Sequence, residues 1–261
     1  AKDFGDFLNR VKINAEIAKS RLAVKTLSFF AQGIEGGDLV TELSGKTSGY
    51  VKDFVVENLF IDSEEGGFTG RINGRMYGLP DISRTRLNIN ASDFSVTSKG
   101  ISSFVSAWIP DGELDLSNYG KDIIFMVNAH ADGLLDSLHV NTEIITFMSG
   151  MMDADVRIDN MISSKRSLGI SGSVETVDVD LSRFIDTDLV RQISMTTEFS
   201  AKLGNKNEPA SLDIRNLDIS RLNFMDYDYT NIRAIANISP DMIQGGILSQ
   251  DPNLNLWLKG G

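Results

Sequence analysis

The residues that could do chemistry in this chain are few: two histidines, His130 and His139, no cysteine, and one run, Ser44-Gly45-Lys46-Thr47, with the ending of a phosphate-binding loop. Each histidine lies in or beside an alternating stretch with no nucleophile motif next to it, so a surface or turn imidazole is expected rather than a general base. A phosphate loop also needs a glycine five residues before Gly45, where this sequence has Val40, and no helical pattern follows; the run is read as a turn. Neither Gly-x-Ser-x-Gly nor Gly-x-Gly-x-x-Gly occurs in a strand-to-helix setting. Asp153, Asp155 and Asp159 recur on one face of a strand. Strand neighbours two apart stand about 7 Å apart and point in parallel, whereas calcium needs converging oxygens. With Arg157 among them they read as a solvated outer face. No catalytic residue, metal ligand or cofactor is assigned, and a protein that is not an enzyme is expected.

Charge and composition exclude further classes. Across 261 residues, 36 acidic side chains stand against 25 basic ones, which disfavours a nucleic-acid partner held by phosphate neutralisation. No stretch approaches the roughly 20 apolar residues of a membrane span. Ala1-Lys-Asp-Phe opens without a charged region leading into an apolar core, and the chain ends on Gly260-Gly261, so a piece of a longer protein is expected, its targeting segment and anchor lying elsewhere.

What organises the chain is alternation at period two, the mark of strands with one buried face. It is present at Val11, Ile13, Ala15 and Ile17, and at Phe68, Ile72 and Met76, where Gly70, Gly74 and Gly78 share the face and call for close approach or curvature. Leu87, Ile89 and Ala91 continue on odd numbers, Phe94 and Val96 on even. Phe125, Val127, Ala129 and Ala131 follow, then Leu138, Val140 and Ile144 after a turn expected at Asp132-Gly133. Met152, Ala154, Val156 and Ile158 precede Leu168, Ile170, Gly172 and Val174, then Val177, Val179 and Leu181, then Ile193, Met195 and Thr197. Two stretches lose the period, Leu27–Ile34 and Ser102–Ile109, and short capping or helical segments are expected there.

The last third, Leu212 to Gly261, reads as four extended segments joined by Asn, Asp, Gly and Pro clusters. Leu212 and Ile214 share one parity, Leu217 and Ile219 the other, and Leu222 and Phe224 return to the first, which implies a bulge or a second strand. Ile232, Ala234, Ala236 and Ile238 alternate cleanly. Ser239-Pro240-Asp241 breaks the ladder, and Gln250-Asp251-Pro252-Asn253 turns the chain into Leu254, Leu256 and Leu258. The order Asp226-Tyr-Asp-Tyr-Thr-Asn-Ile232, a strand bearing Gly245-Gly246, then Asp251-Pro-Asn-Leu-Asn-Leu256 resembles a repeated element of the TamB family, the translocation and assembly module within the AsmA-like group, in its Bacteroidota branch. The segment Ser182-Arg-Phe-Ile-Asp186 resembles a recurring feature of the same family.

The resemblance implies an all-β, elongated, mainly antiparallel meander curled into an open U-shaped groove, a β-taco, with one or two short helices. It implies a periplasmic segment of an inner-membrane-anchored protein that conducts phospholipid or another acyl-chain lipid in outer-membrane biogenesis, with a TamA-like outer-membrane partner. An N-terminal β-section, 1–110, and a C-terminal one, 111–261, would share the sheet. The candidate lining is Phe68, Ile72, Met76, Leu87, Ile89, Phe125, Val127, Val140, Met152, Val156, Ile158, Val177, Val179, Ile232, Ile238, Leu254 and Leu256. Exposing a tail of roughly 16 carbons to water costs on the order of 12 kcal/mol, so such a wall must be continuous and free of ionised groups. The nine methionines would add adaptable surface. The alternation also fits a structural or adhesive β-rich cell-surface protein with a closed sandwich core.

Overall fold

Period-two alternation folds as strands throughout the described part of the chain. The structure, a computed structural model, describes residues 10–23, 40–63, 67–102, 124–146, 150–162, 166–183, 189–205 and 208–261. The strands are β1 (Lys12–Ala23), β2 (Val40–Tyr50), β3 (Asp53–Ser63), β4 (Phe68–Tyr77), β5 (Arg86–Thr97), β6 (Ile124–Leu134), β7 (Ser137–Thr146), β8 (Gly150–Asp159), β9 (Gly169–Asp180), β10 (Val190–Lys202), β11 (Ser211–Phe224), β12 (Tyr227–Tyr229), β13 (Ile232–Ser239), β14 (Met242–Asp251) and β15 (Leu254–Gly260). They pair in chain order in an open antiparallel sheet not closed into a barrel, except that β12 pairs β11 and β13 then continues the order. Helical backbone among the described residues is limited to single 3-10 turns at Ile82–Arg84 and Leu181–Arg183, a turn at 98–102, and residue 10. Leu27–Ile34 lies outside the described residues, as does all of Ser102–Ile109 except Ser102 and all of Ser182–Asp186 except its first two residues. No described helix is long and apolar enough to cross a membrane.

Two compact units divide the chain, Ala1–Leu138 and His139–Gly261; position 110/111 is not among the described residues. In the first unit the register gathers one side of six strands. Ile13, Ala15 and Ile17 pair with Gly49, Thr47 and Gly45. Phe54 and Val56, then Leu59 and Ile61, pair with Met76, Gly74, Ile72 and Gly70. Ile72, Gly74 and Met76 pair with Ala91, Ile89 and Leu87, and these, with Phe94 and Val96, pair with Ala129, Ala131, Gly133, Val127 and Phe125. The glycines of β4 are there for close approach. A Cβ on Gly70 would lie 2.4 Å from the ring of Phe94, and one on Gly74 would lie 2.5 Å from the carbonyl oxygen of Asn88.

In the second unit Met152, Ala154, Val156 and Ile158 pair with Thr176, Val174, Gly172 and Ile170. The face continues through Ile193, Met195, Thr197 and Phe199 of β10 and into β11. There the three parity classes of the sequence prove to be one strand: two register shifts bring Leu212 and Ile214, Leu217 and Ile219, and Leu222 and Phe224 to the same side. Ile232, Ala234, Ala236 and Ile238 pair with Ile219, Leu217, Ile214 and Leu212, and on their other flank with Ser249, Ile247, Gly245 and Ile243. Leu258, Leu256 and Leu254 close the series opposite Ile247, Ser249 and Asp251. The most buried cluster is small, Val179, Ile193 and Ile219, with Leu181, Met195, Leu217, Leu222 and Ile232 against it.

Two local readings are corrected. Asp132-Gly133 is inside β6, Gly133 pairing with Leu87, and the chain turns at 135–136 instead. Ser44-Gly45-Lys46-Thr47 is strand, not turn. Gly45 sits against the β3 bulge, where a Cβ would come within 2.7 Å of the Leu59 Cα, so its glycine serves close backbone approach.

The bulges share a device. In β3, β5 and β9 the extra residue is Asn58, Asp93 or Asp178, each in the left-handed region with φ of 48°, 53° and 51°. Asn and Asp tolerate that conformation best among residues with a side chain. A bulge residue leaves its N–H outside the ladder. In all three cases a side chain on the next strand accepts it: Asn73 Oδ1 from Asn58 at 2.8 Å, Asn128 Oδ1 from Asp93 at 3.3 Å and Ser194 Oγ from Asp178 at 2.9 Å. Asn73→Ala should therefore cost about 0.5 to 1.5 kcal/mol by urea unfolding and remove hydrogen-exchange protection at the Asn58 amide. Unchanged protection there would dismiss the acceptor's role.

Candidate functional site: a charge-free sheet face

The apolar side of each unit is a surface rather than a filled core. Of the seventeen candidate lining residues, only Leu87 and Val179 are buried, at 8% and 5% exposure; Phe68, Ile72, Met76, Ile89, Phe125, Val127, Val140, Met152, Val156, Ile158, Ile232, Ile238, Leu254 and Leu256 are half-buried. The register brings Phe68, Ile72, Met76, Leu87, Ile89, Phe125 and Val127 to one face of the first unit. It brings Met152, Val156, Ile158, Val179, Ile232, Ile238, Leu254 and Leu256 to one face of the second. Val140 joins these, because its neighbour His139 bonds Asp155 on the opposite side.

Val177 does not belong to that face. Ile193 pairs with Val179 and Met195 with Thr176, so the two residues Val177 and Asp178 together oppose Ser194. The bulge at Asp178 turns Val177 to the far side, opposite Met151, where it is 43% exposed. Counting by twos from Val179 carries the wrong residue across the bulge. The signal that could have found it was the even run from Ile170 to Val174, which extends to Thr176 and not to Val177.

Charge is excluded from both faces. Among the strand residues whose side the register fixes, the only one on them with a carboxylate, ammonium or guanidinium group is Asp251; the other Asp, Glu, Lys and Arg side chains so placed stand on the opposite side. There they pair with one another: Lys19 with Glu42, Arg75 with Asp53, Arg221 with Asp178 and Asp228, and Arg233 with Asp218. Eight serine and threonine hydroxyls on the apolar side are turned inward. Ser20, Thr41, Thr47, Ser63, Thr146, Thr176, Thr197 and Ser249 each donate to a backbone carbonyl, of Ala18, Leu22, Val55, Val40, Gly150, Ile193, Asn216 and Leu254 respectively. With its donor spent on the backbone, a threonine there presents chiefly its methyl group.

Asp251 is the exception and it is sealed, at 3% exposure. Its carboxylate accepts from Tyr227 Oη at 3.0 Å, Thr230 N at 2.9 Å, Thr230 Oγ1 at 3.2 Å and Asn253 N at 2.8 Å. Burial alone would raise this carboxyl. The four hydrogen bonds, those from the Asn253 and Thr230 amides foremost, outweigh it and hold the group below its ordinary value. Tyr227 is raised, first by burial and then by its bond to Asp251. The Tyr227 and Tyr229 rings meet edge to face at 4.6 Å between centroids.

The remaining candidates lie on the charged side. His130 Nδ1 is 2.8 Å from Asn90 Oδ1, and His139 Nε2 bonds Asp155. Arg157 Nε donates to Asp159 at 3.0 Å. No cluster able to hold a metal ion occurs among the described residues. No family model matches the chain, and neither a curated protein nor a solved structure matches it.

Two outcomes test this geometry. Val179→Asp should destabilise by about 3 kcal/mol or more, since it strands a carboxylate in the most buried cluster, whereas Val177→Asp should stay within about 0.5 kcal/mol; equal costs in urea unfolding would reject the assignment of faces. For Asp251, a folded-state pKa below the unfolded value of about 3.9 means its stabilisation is present above that value and lost as pH falls through the lower folded one. Asp251→Asn should accordingly lower the melting temperature by several degrees at pH 7, and the gap from the parent protein should narrow below about pH 4. A gap constant down to pH 2 would contradict it.

Proposed function

We propose that the apolar face of these units is a wall for hydrocarbon tails, and that the chain is a lipid-conducting segment of a TamB or AsmA-like envelope protein. Its place is the periplasm and its service the movement of phospholipid or another acyl-chain lipid in outer-membrane biogenesis, beside a TamA-like partner. The observation that carries this reading is a face extending over successive strands with no exposed charge and with its hydroxyls bonded inward, yet left half-exposed. A surface meant only for water would gain nothing from excluding every lysine and glutamate from one side. A closed core would bury these residues, and of the described apolar side chains only Ile82, Leu87, Leu138, Val179, Ile193 and Ile219 are buried.

The motif resemblance adds family and compartment to the reading. Asp251, Tyr227 and Thr230, which carry much of that resemblance, join in one hydrogen-bonded knot at the foot of the face. Their role is architectural, holding two turns together while the face beside them stays apolar.

The test is binding of a fluorescent acyl probe to the purified chain. The parent protein should bind it saturably, and Ile72→Asp, Val127→Asp, Val156→Asp or Ile238→Asp should each weaken binding by about tenfold or more while circular dichroism keeps its β signature, because each places a charge on a half-exposed wall. Absence of probe binding together with global unfolding of all four variants would favour a closed structural core and end the proposal.

A further inference from the structure

The opposite side of the last strands carries a concavity that differs from the apolar wall in bearing charged and amide side chains. It has a volume of about 1040 Å³ and is formed on β11, β13, β14 and β15. The register sets out its relief. Ile235, Gly246 and Lys259 form one cross-strand row, and Arg233, Leu248 and Trp257 the next. The β11 register shift beside Asn216 adds Arg215 and Asn216 at the border. Trp257 is 70% exposed and Ile235 56%, so an indole and an aliphatic side chain stand in water with nothing of this unit over them.

Charge reverses here. The chain carries a net charge of −11, but the walls of this hollow hold Arg215, Arg233 and Lys259 against the single carboxylate of Asp213. Arg233 is engaged by Asp218 at 3.1 Å and Arg215 by Asp213 at 3.6 Å, while Lys259 forms no ion pair among the described residues. Three side-chain amides, Asn216, Asn237 and Gln244, add to the polar lining, which atoms of Ile214, Ala234, Ala236 and Ile247 interrupt. The floor is open by composition. A Cβ on Gly246 would meet only the Leu258 carbonyl oxygen, at 3.4 Å, and no left-handed φ is needed there, so the backbone does not require glycine. What a side chain at 246 would do is fill the hollow.

We propose that this concavity binds an acidic oligosaccharide, with the Trp257 indole stacked on a sugar ring and Lys259, with the two arginines, meeting its carboxylates. A pyranose offers what these walls accept: an apolar C–H face for an aromatic plane, hydroxyls for amides that both donate and accept, and carboxylates for cations. A simple phosphate would use the cations and leave the indole, Ile235 and Leu248 idle. Lys259 stands two residues from Trp257 on one strand, about 7 Å away, so a ring lying on the indole presents its substituents within reach of the ammonium. The size lies at the upper end of the range for small-ligand sites, which suits several linked rings.

The chain has two tryptophans, so a Trp108→Phe background makes Trp257 the sole indole reporter. Titration with trigalacturonate should change its fluorescence saturably, and Lys259→Ala or Gly246→Leu should weaken the response about tenfold with the β signature intact. Maltotriose should bind more weakly and without salt dependence. The proposal falls if trigalacturonate gives no saturable change, if both variants bind as the parent does, or if maltotriose binds equally. It falls likewise if inorganic phosphate or phosphatidylglycerol vesicles compete as well as the acidic sugar, since charge alone would then suffice. Acyl-probe binding reports on the other face and should be unaffected by either variant.

Discussion

Everything in this protein depends on keeping charge off one side of a sheet while the chain repeatedly breaks its own alternation. A strand that slips by one residue sends its apolar set to the wrong face. The sequence slips several times, at Asn58, Asp93 and Asp178 and twice within β11, and each slip is absorbed by an extra residue, so the side chains beyond it return to the original side. The extra residue leaves an amide without a ladder partner. At the three left-handed bulges an Asn or Ser on the neighbouring strand accepts it, so the correction on one strand is written partly in the sequence of the next.

That division of labour explains what could be read in advance. Strand existence and face membership were legible wherever alternation ran unbroken, as from Ile232 to Ile238 or Met152 to Ile158, because period two leaves one arrangement of a half-buried strand. The parity changes at Ala91 to Phe94 and through β11 were legible as breaks, but not as bulges in one continuous strand, since a second strand would have produced the same pattern. Val177 was misplaced for the same reason: the even run ending at Thr176 marks a break before Val179, but that Asp178 occupies the extra position shows only in its pairing with Ser194 on β10. Asp132-Gly133 and Ser44-Gly45 misled differently. Both glycines have the composition of turns, but Gly133 has its φ of 129° inside a strand and Gly45 lies against a neighbouring backbone, requirements that only the paired strand imposes.

Asp251 shows how a charged residue can occupy the protected side without spoiling it. Its position in the alternation, opposite Leu254, is that of an apolar residue. Four donors convert it from a hydrated charge into the fastening of two turns, and the tyrosine and threonine that supply three of them come from the segment before β13. The spacing between Asp226-Tyr-Asp-Tyr-Thr and Asp251-Pro-Asn thus has a physical content. The two segments are far apart in sequence and are brought together by the β13–β14 hairpin, whose eight paired positions run without a register shift. A motif of weakly specific pieces becomes informative in order because the pieces touch.

The treatment of hydroxyls argues for the same constraint from another direction. On a hydrated face a threonine gains from pointing its oxygen outward, and bonding it back to the main chain only competes with water at little net benefit. Eight serine and threonine hydroxyls on the protected side nevertheless turn to carbonyls, as polar side chains do where the surrounding medium offers no hydrogen bonds. Each donation removes the donor that a hydrocarbon neighbour could not satisfy, at a cost of roughly 1 to 3 kcal/mol if it were left unpaired. A surface with its donors internally satisfied and its charges moved across the sheet is indifferent to which tail lies against it. Under the proposed lipid role, recognition of a particular lipid would have to arise from head-group contacts beyond this wall, and the wall itself would grade its ligands by apolar length alone.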